Sequence, residues 1–517
     1  MLKNTNKLLR VRTNLRGDCR SGKESSLVFA QTENERSHYS VRSDYSDEGH
    51  WQEGVQSSLK RRKIPEVDRI SELPDSIIHH ILSFLSAEDA VKTGVFSKRW
   101  MYLWTCASKL TFRHDPYRPR FPVRRFLRFV DKILFFYSSS EMEKFELDFD
   151  CQFAEVKWNH LDSLIQKWLR FVTRRLVEEL SLKFCESVYL HPIPQFVFNS
   201  SSLTKLSTRE CYYAPKGQVC WTSLWALTIE HAELSNDVLQ KILGGSPKFK
   251  YLKLHDCWVI NSINISSSSV LEYLEVHRCW SITRIDASSN SRLEKLVLKE
   301  MQNHEICRLL NVYSLTDVCL TFERKVSQFD CIDIPKKLLE KIKHVEKIAL
   351  GSYCVQVLSL LELRGLPSPL SGSSCECLTL NTNLEEWYPF GLAHLLHCFP
   401  TLQKLVIDMT IFSEIEQFPD EVFPENHLEI VDRTFICLLE HLKTIEITGL
   451  RPYRHEPYDL GLVSFLLGNA RVLKEMVIHF GCKVSGFGLY EKAKLFDLTQ
   501  KLLSWPRCSP HAVVLID

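Results

Sequence analysis

Residues able to do covalent or metal chemistry are plentiful here but poorly assembled. The sequence holds 18 Cys and 19 His. A structural zinc site wants four thiolate or imidazole ligands paired at short spacing. The cysteines are instead scattered from Cys19 to Cys508, with no C-x-x-C pair. His394 and His397 stand at i, i+3 beside Cys398, which is one helix face, but no distant third ligand accompanies them. Cys375-x-Cys377 is a lone pair on a strand, and His79-His80 falls inside an amphipathic helix pattern. There is no G-x-S-x-G, phosphate loop or H-E-x-x-H, and Gly486-Phe-Gly488 lacks the third glycine of a nucleotide loop. No catalytic residue, metal site or cofactor is implied.

Composition narrows the classes further. Lys and Arg number 65 against 63 Asp and Glu, a net charge of +2, with 44% hydrophobic and 25% charged residues. That is a globular balance, with no global reason to bind nucleic acid. No apolar run reaches the ~18 residues of a membrane span. Nothing at the N-terminus resembles a secretory signal, so reduced thiols in a cytoplasmic or nuclear protein are expected, and the sequons at Asn199 and Asn264 are chance matches. The polar stretch 1–66 carries Lys3, Lys7, Arg10, Arg12, Arg16 and Arg20 against Asp18 in its first 20 residues. It reads as a disordered leader, with an organelle transit peptide as the alternative. Lys60-Arg61-Arg62-Lys63 fits the pattern of a nuclear import signal.

After Pro65 the composition changes. Pro74 suits the first turn of a helix. Ile77, Ile78, Ile81, Leu82 and Leu85 then form a wide apolar stripe. Ser86 stands three residues before Asp89, as in a capping box. A second helix from Ala87 to about Phe96 would bury Ala90, Val91 and Val95. Ser97 caps a third that carries Trp100, Leu103 and Trp104. The stripe is too wide for so small a core, which leaves part of it for a partner.

The residues of this segment resemble the F-box, by which substrate receptors dock on a Skp-type adaptor of cullin-RING ubiquitin ligases. The resemblance rests on Leu73-Pro74-Asp75, the Ile78/Ile81/Leu82/Leu85 stripe and Ser97-Lys98-Arg99-Trp100. The form I-S-x-L-P-D…V-F-S-K-R-W-x-x-L-W is similar to the plant F-box subfamily with leucine-rich repeats and a C-terminal FBD region. It implies adaptor contact through Leu73, Pro74, Ile77, Ile78, Ile81, Leu82, Leu85, Val91 and Trp100.

The remaining chain repeats L-x-x-L-x-L. The clearest copies begin at Leu224, Phe249, Leu271, Leu293 and Leu315, spaced 25, 22, 22 and 22 residues apart, within the leucine-rich-repeat range. Looser copies begin at Met142, Val177, Leu203, Val345, Cys375, Leu402, Leu442 and Leu473. The fourth and sixth positions share one strand face. Stacked copies bury that face as a parallel sheet. Between strands, Ser235 caps a helix with Val238, Leu239, Ile242 and Leu243, and Gly244-Gly245 ends it. Cys185, Cys211, Cys257 and Cys279 occupy the ninth position of their units, as does Asn383. A short inward polar group there bonds the turning backbone, so these thiols have a structural use.

The expected architecture is α/β: a leader over 1–66, an F-box over 67–112, a leucine-rich-repeat horseshoe over 113–435, and an FBD-type region over 436–517 that continues and caps it. The resemblance implies a non-catalytic substrate-recognition subunit of an SCF-type ligase, which reaches a cullin through the adaptor. The alternatives are a non-degradative interaction scaffold and a nucleic-acid-binding solenoid. The third, fifth and seventh positions of each unit point away from the core. Tyr251, Lys253 and His255 should therefore lie beside Tyr273, Glu275 and His277 on the concave face, as a target-binding surface for an unknown protein.

Overall fold

The computed structural model describes residues 70, 72–115, 122–149, 158–185, 189–265, 270–287, 292–301, 312–322, 333–363, 366–382, 395–410, 439–450, 457–480 and 489–516. The leader, Asn383, His394 and Gly486-Phe-Gly488 lie outside them.

The F-box residues fold as short helices. The first, Asp75–Leu82, starts one residue later than Pro74's placement in the first turn implies, with Pro74 at the cap position. The second ends early, at Lys92, and continues as a 3-10 turn over Thr93–Val95. This exposes Val95 instead of burying it. Gly94 and the β-branched Thr93 are weak helix formers and account for the break. Ser86 caps that helix, its Oγ accepting from the Asp89 N–H at 3.1 Å. Trp100–Leu103 forms the third helix, and the Trp100 N–H reaches Ser97 Oγ at 3.4 Å.

The strand Lys109–His114 crosses the expected boundary at 112 and opens the solenoid. It pairs in parallel with Lys144–Phe149, Leu110 opposite Phe145 and Phe112 opposite Leu147. From there the chain adds one parallel strand after another in sequence order, to Glu475–Phe480 and finally Val513–Ile516. Among the described residues the sheet holds 17 strands. The repeat pattern dictates its core. Leu227/Ile229, Leu252/Leu254, Leu274/Val276 and Leu296/Leu298 stack in register at the fourth and sixth positions, and all are fully buried. Helix Asn236–Gly244 returns the chain with Ser235 as its cap. Gly245 is required by close approach, since a Cβ there would meet the Val219 carbonyl oxygen at 2.0 Å.

The ninth-position thiols Cys211, Cys257 and Cys279 are buried. Cys257 Sγ donates to the Ile229 carbonyl at 3.7 Å, and Cys279 Sγ to that of Leu254 at 3.6 Å. Burial pushes the Cys211 and Cys257 thiols far up, which keeps them protonated. Every described cysteine is a free thiol. Residues 436–517 add strands Thr444–Leu450, Glu475–Phe480 and Val513–Ile516. The last is a short edge strand, which limits further pairing.

Gly449 sits at the eighth position of its unit with φ +84, and a Cβ would lie 2.8 Å from the Met409 carbonyl carbon and the Thr410 nitrogen. Both neighbours are backbone and cannot rotate away. Gly449→Ala is expected to cost about 2 kcal/mol, read as a lower thermal midpoint.

Candidate functional site

Two surfaces carry unusual side chains. The first is on the F-box. Ile78 and Leu82 are fully buried and Trp100 nearly so. They form the module's own core, whereas the resemblance implies adaptor contact for them. Leu73, Leu85 and Val91 are half-buried and pack against that core. Pro74, Ile77 and Ile81 are exposed. With them stand large apolar residues that periodicity did not single out for contact: Phe84 at 76% exposure, Val95 at 84%, Phe96 at 66%, Tyr102 at 67%, and Met101. The two sequence signatures meet here. Arg99 of the Ser97–Trp100 segment donates to the Asp75 carboxylate, through Nε at 3.2 Å and through Nη2. That pair ties the entry of the first helix to the start of the third.

The second surface lies on the partly exposed face of the parallel sheet. Strands Tyr251–Trp258 and Tyr273–His277 pair in the register read from the repeat: Tyr251 opposite Tyr273, Lys253 opposite Glu275, His255 opposite His277. The tyrosine rings stack, with centroids 4.1 Å apart and planes 13° off parallel. Lys253 Nζ lies 5.4 and 5.7 Å from the two ring centroids. Glu275 is the hub. Its carboxylate accepts from Lys253 at 2.9 Å, the Tyr273 hydroxyl at 2.6 Å and His255 Nε2 at 3.3 Å. Burial alone would raise its pKa, but bonds from His255, Tyr273 and Lys253 outweigh burial and hold the carboxyl far below the usual range. Burial, then the hydrogen bond to Glu275, pushes the Tyr273 phenol up. The His255 and His277 rings meet edge to face at 5.1 Å. The result is a stacked aromatic pair fixed by a buried, hydrogen-bonded carboxylate.

Residues 70–109 match the F-box domain family, and 435–478 match the FBD family. Residues 165–314 match a family described as FBD-associated F-box protein At5g56370, LRR repeats. The chain is 30% identical over 379 residues to F-box/LRR-repeat protein At3g03360 of Arabidopsis thaliana, spanning 70% of this chain and 74% of that one. It is 31% identical over 354 residues to the putative F-box/LRR-repeat protein At3g18150 of the same plant, spanning 67% and 73%. A third relative there, F-box/LRR-repeat protein 13, is 25% identical over 480 residues, 90% and 99% of the two chains. The chain belongs to the plant F-box/LRR-repeat/FBD family. It is an F-box protein, in a family of typically non-catalytic adaptors. Among the described residues no helix is long and apolar enough to cross a membrane, and no group of three His, Cys, Asp or Glu is placed to hold a metal. His397, exposed beside the buried Cys398, belongs to no such group.

This F-box protein also has a feature the repeat pattern did not disclose. The eighth positions of five successive units are Glu210, His231, Asp256, Arg278 and Glu300, with φ between 48 and 58. A left-handed non-glycine residue costs about 1–2 kcal/mol, so a recurrent one has a compensating partner. Here acidic side chains alternate with His231 and Arg278 along the rim. His231 stands 3.9 Å from Glu210 and 3.3 Å from Asp256. Arg278 stands 2.9 Å from Asp256 and 3.9 Å from Glu300. His277 joins at 3.2 Å from Glu300. The visible signal was a charged residue before the ninth-position Cys in E-C, D-C and R-C. The alternation of acidic with basic residue types becomes legible only once the units are stacked.

Proposed function

We propose that this chain is the substrate receptor of an SCF-type ubiquitin ligase, with the exposed F-box patch docking a Skp-type adaptor and the Tyr251/Tyr273 surface holding a target protein. The observation that carries this reading is the apolar patch of Phe84, Val95, Phe96 and Tyr102 on a module of the F-box family. Apolar groups this exposed on so small a module mark an interaction surface. Adaptor contact then falls to Pro74, Ile77 and Ile81 with that patch, while Leu73, Leu85 and Val91 support it. No residue need be catalytic. Tethering makes the encounter of target and conjugating enzyme intramolecular, at effective concentrations around millimolar.

Support for the target surface comes from the stacked tyrosines, which offer large contact area at little entropic cost. Tyr251→Ala with Tyr273→Ala is expected to cut target recovery about ten-fold and to leave adaptor co-purification unchanged, as measured by quantitative pull-down with the proteasome blocked. An unchanged target set would move the binding surface elsewhere on the solenoid. Adaptor binding with stable targets and no ubiquitin transfer would favour the scaffold reading.

A further inference from the structure

We infer that the groove between helices Val123–Phe136 and Trp158–Arg174, away from the Tyr251/Tyr273 surface, binds an acidic peptide segment that carries an aromatic or aliphatic anchor. The groove has a volume of about 730 Å³. Its floor is apolar, formed by Leu134, Trp168 and Phe171, and Phe135 stands at its edge with 82% of its surface exposed. Phe136, 49% exposed, meets Phe135 edge to face at 5.2 Å. Two adjacent exposed phenylalanines at the end of an otherwise amphipathic helix are not needed by the core, which the same helix fills with Phe126, Val130 and Ile133.

The charge around this floor is one-sided. Lys167, Arg170, Arg174 and Arg175 line the groove, and Asp131 is its one carboxylate. Asp131 is already engaged, accepting from Lys167 Nζ at 2.9 Å and Trp168 Nε1 at 2.6 Å. Arg175 is held over the Phe171 ring at 4.7 Å and donates to the Ser139 carbonyl. Arg170 Cζ lies over the Phe196 ring at 4.8 Å, a cation–π contact that holds the guanidinium beside the groove. Arg174 is exposed, and no described carboxylate pairs with it. On the outer face of the neighbouring helix, Arg124, Arg128 and Lys132 extend the positive field. In a chain of net charge +2, such a concentration is local. Fixed cations around an apolar floor complement carboxylates flanking an apolar side chain. A nucleic acid would need a cationic track along its backbone, and a hydrophobic floor adds little to that.

The test uses the full chain co-purified with its adaptor. A displayed library of random 16-residue peptides is selected on it, and the enriched peptides are labelled and titrated by fluorescence anisotropy. Enriched sequences are expected to be net acidic with at least one aromatic or large aliphatic residue. Arg170→Glu with Arg174→Glu should weaken them about ten-fold or more, and Phe135→Ala about five-fold. All three sites are exposed, so thermal midpoints should stay near wild type. Tyr251→Ala with Tyr273→Ala should leave this binding intact, which separates the groove from the tyrosine surface. Neutral or basic enriched peptides would overturn the proposal, as would affinities indifferent to these groove variants. Tighter binding of a 20-nucleotide single strand or of anionic vesicles, unaffected by Phe135→Ala, would assign the groove to a different ligand and also overturn it.

Discussion

Replacing Val95 and Phe96 by aspartate is expected to abolish adaptor binding while the chain stays folded. Both side chains are mostly in solvent, at 84% and 66% exposure, so the free protein loses little when they change. Phe96 gives up only an edge contact to Trp100 at 5.9 Å. In the complex the balance is different. Burying a Val and a Phe is worth about 1.5–3 kcal/mol each. A carboxylate driven into the same desolvated patch adds a penalty of its own. A loss of about 4 kcal/mol is a roughly thousand-fold weaker complex, enough to remove adaptor from a pull-down. Trp100→Ala provides the contrast. Trp100 is 2% exposed, and its truncation should cost about 3–5 kcal/mol of module stability. It would abolish binding by unfolding the F-box, and circular dichroism melts distinguish the two. Wild-type adaptor affinity in the doubly charged variant would remove Val95 and Phe96 from the docking surface.

The division of the F-box into core and contact residues shows where sequence reasoning stopped. The 3.6-residue period placed Ile77, Ile78, Ile81, Leu82 and Leu85 on one stripe, but a stripe has a centre and edges. Ile78 and Leu82 fall at the centre and are buried; Ile77 and Ile81 fall at the edge and are exposed. Phe84, Val95 and Phe96 lie in turns, where no periodicity operates, and Gly94 breaks the helix that was to bury Val95. On the solenoid the reverse held. Register in a parallel repeat is set by the buried fourth and sixth positions, so the pairings of residues 251–255 with 273–277 followed from spacing alone. The strand Lys109–His114 was missed because its unit has Ala107 at the first position and draws on the F-box, with Leu110 and Phe112 as its inward residues. Side-chain networks such as Glu275's were not legible. They depend on which rotamers converge, and the repeat fixes only which residues face each other.

That carboxylate supports the second large effect. Glu275→Ala should lower stability by about 3 kcal/mol at pH 7, because it leaves Lys253, His255 and Tyr273 facing a partly buried void without their shared acceptor. The side chain is only 8% exposed, while Lys253 keeps 28% exposure and can partly resolvate, which places the cost at the lower end for a broken buried pair. Glu275→Gln isolates the charge, since the amide keeps the shape and one acceptor. Its pH dependence has a fixed sign. Bonds from His255, Tyr273 and Lys253, overcoming burial, hold the folded carboxyl far below its unfolded value, which is near 4.3. The charge therefore contributes fully above the unfolded value and is lost only as pH falls through the depressed folded one. The stability gap between wild type and Glu275→Gln should be flat from about pH 7 to 5 and narrow progressively below about 4. A gap that closes between pH 7 and 5 would contradict a folded carboxyl held below its unfolded value. The same variant should release the Tyr273 hydroxyl from its anchor and loosen the tyrosine stack, so target recovery should fall with the charge even though neither ring is altered. Recovery that stays at wild-type level while stability drops would mean that the stack is held by its own ring contact, and would confine Glu275 to a purely structural role.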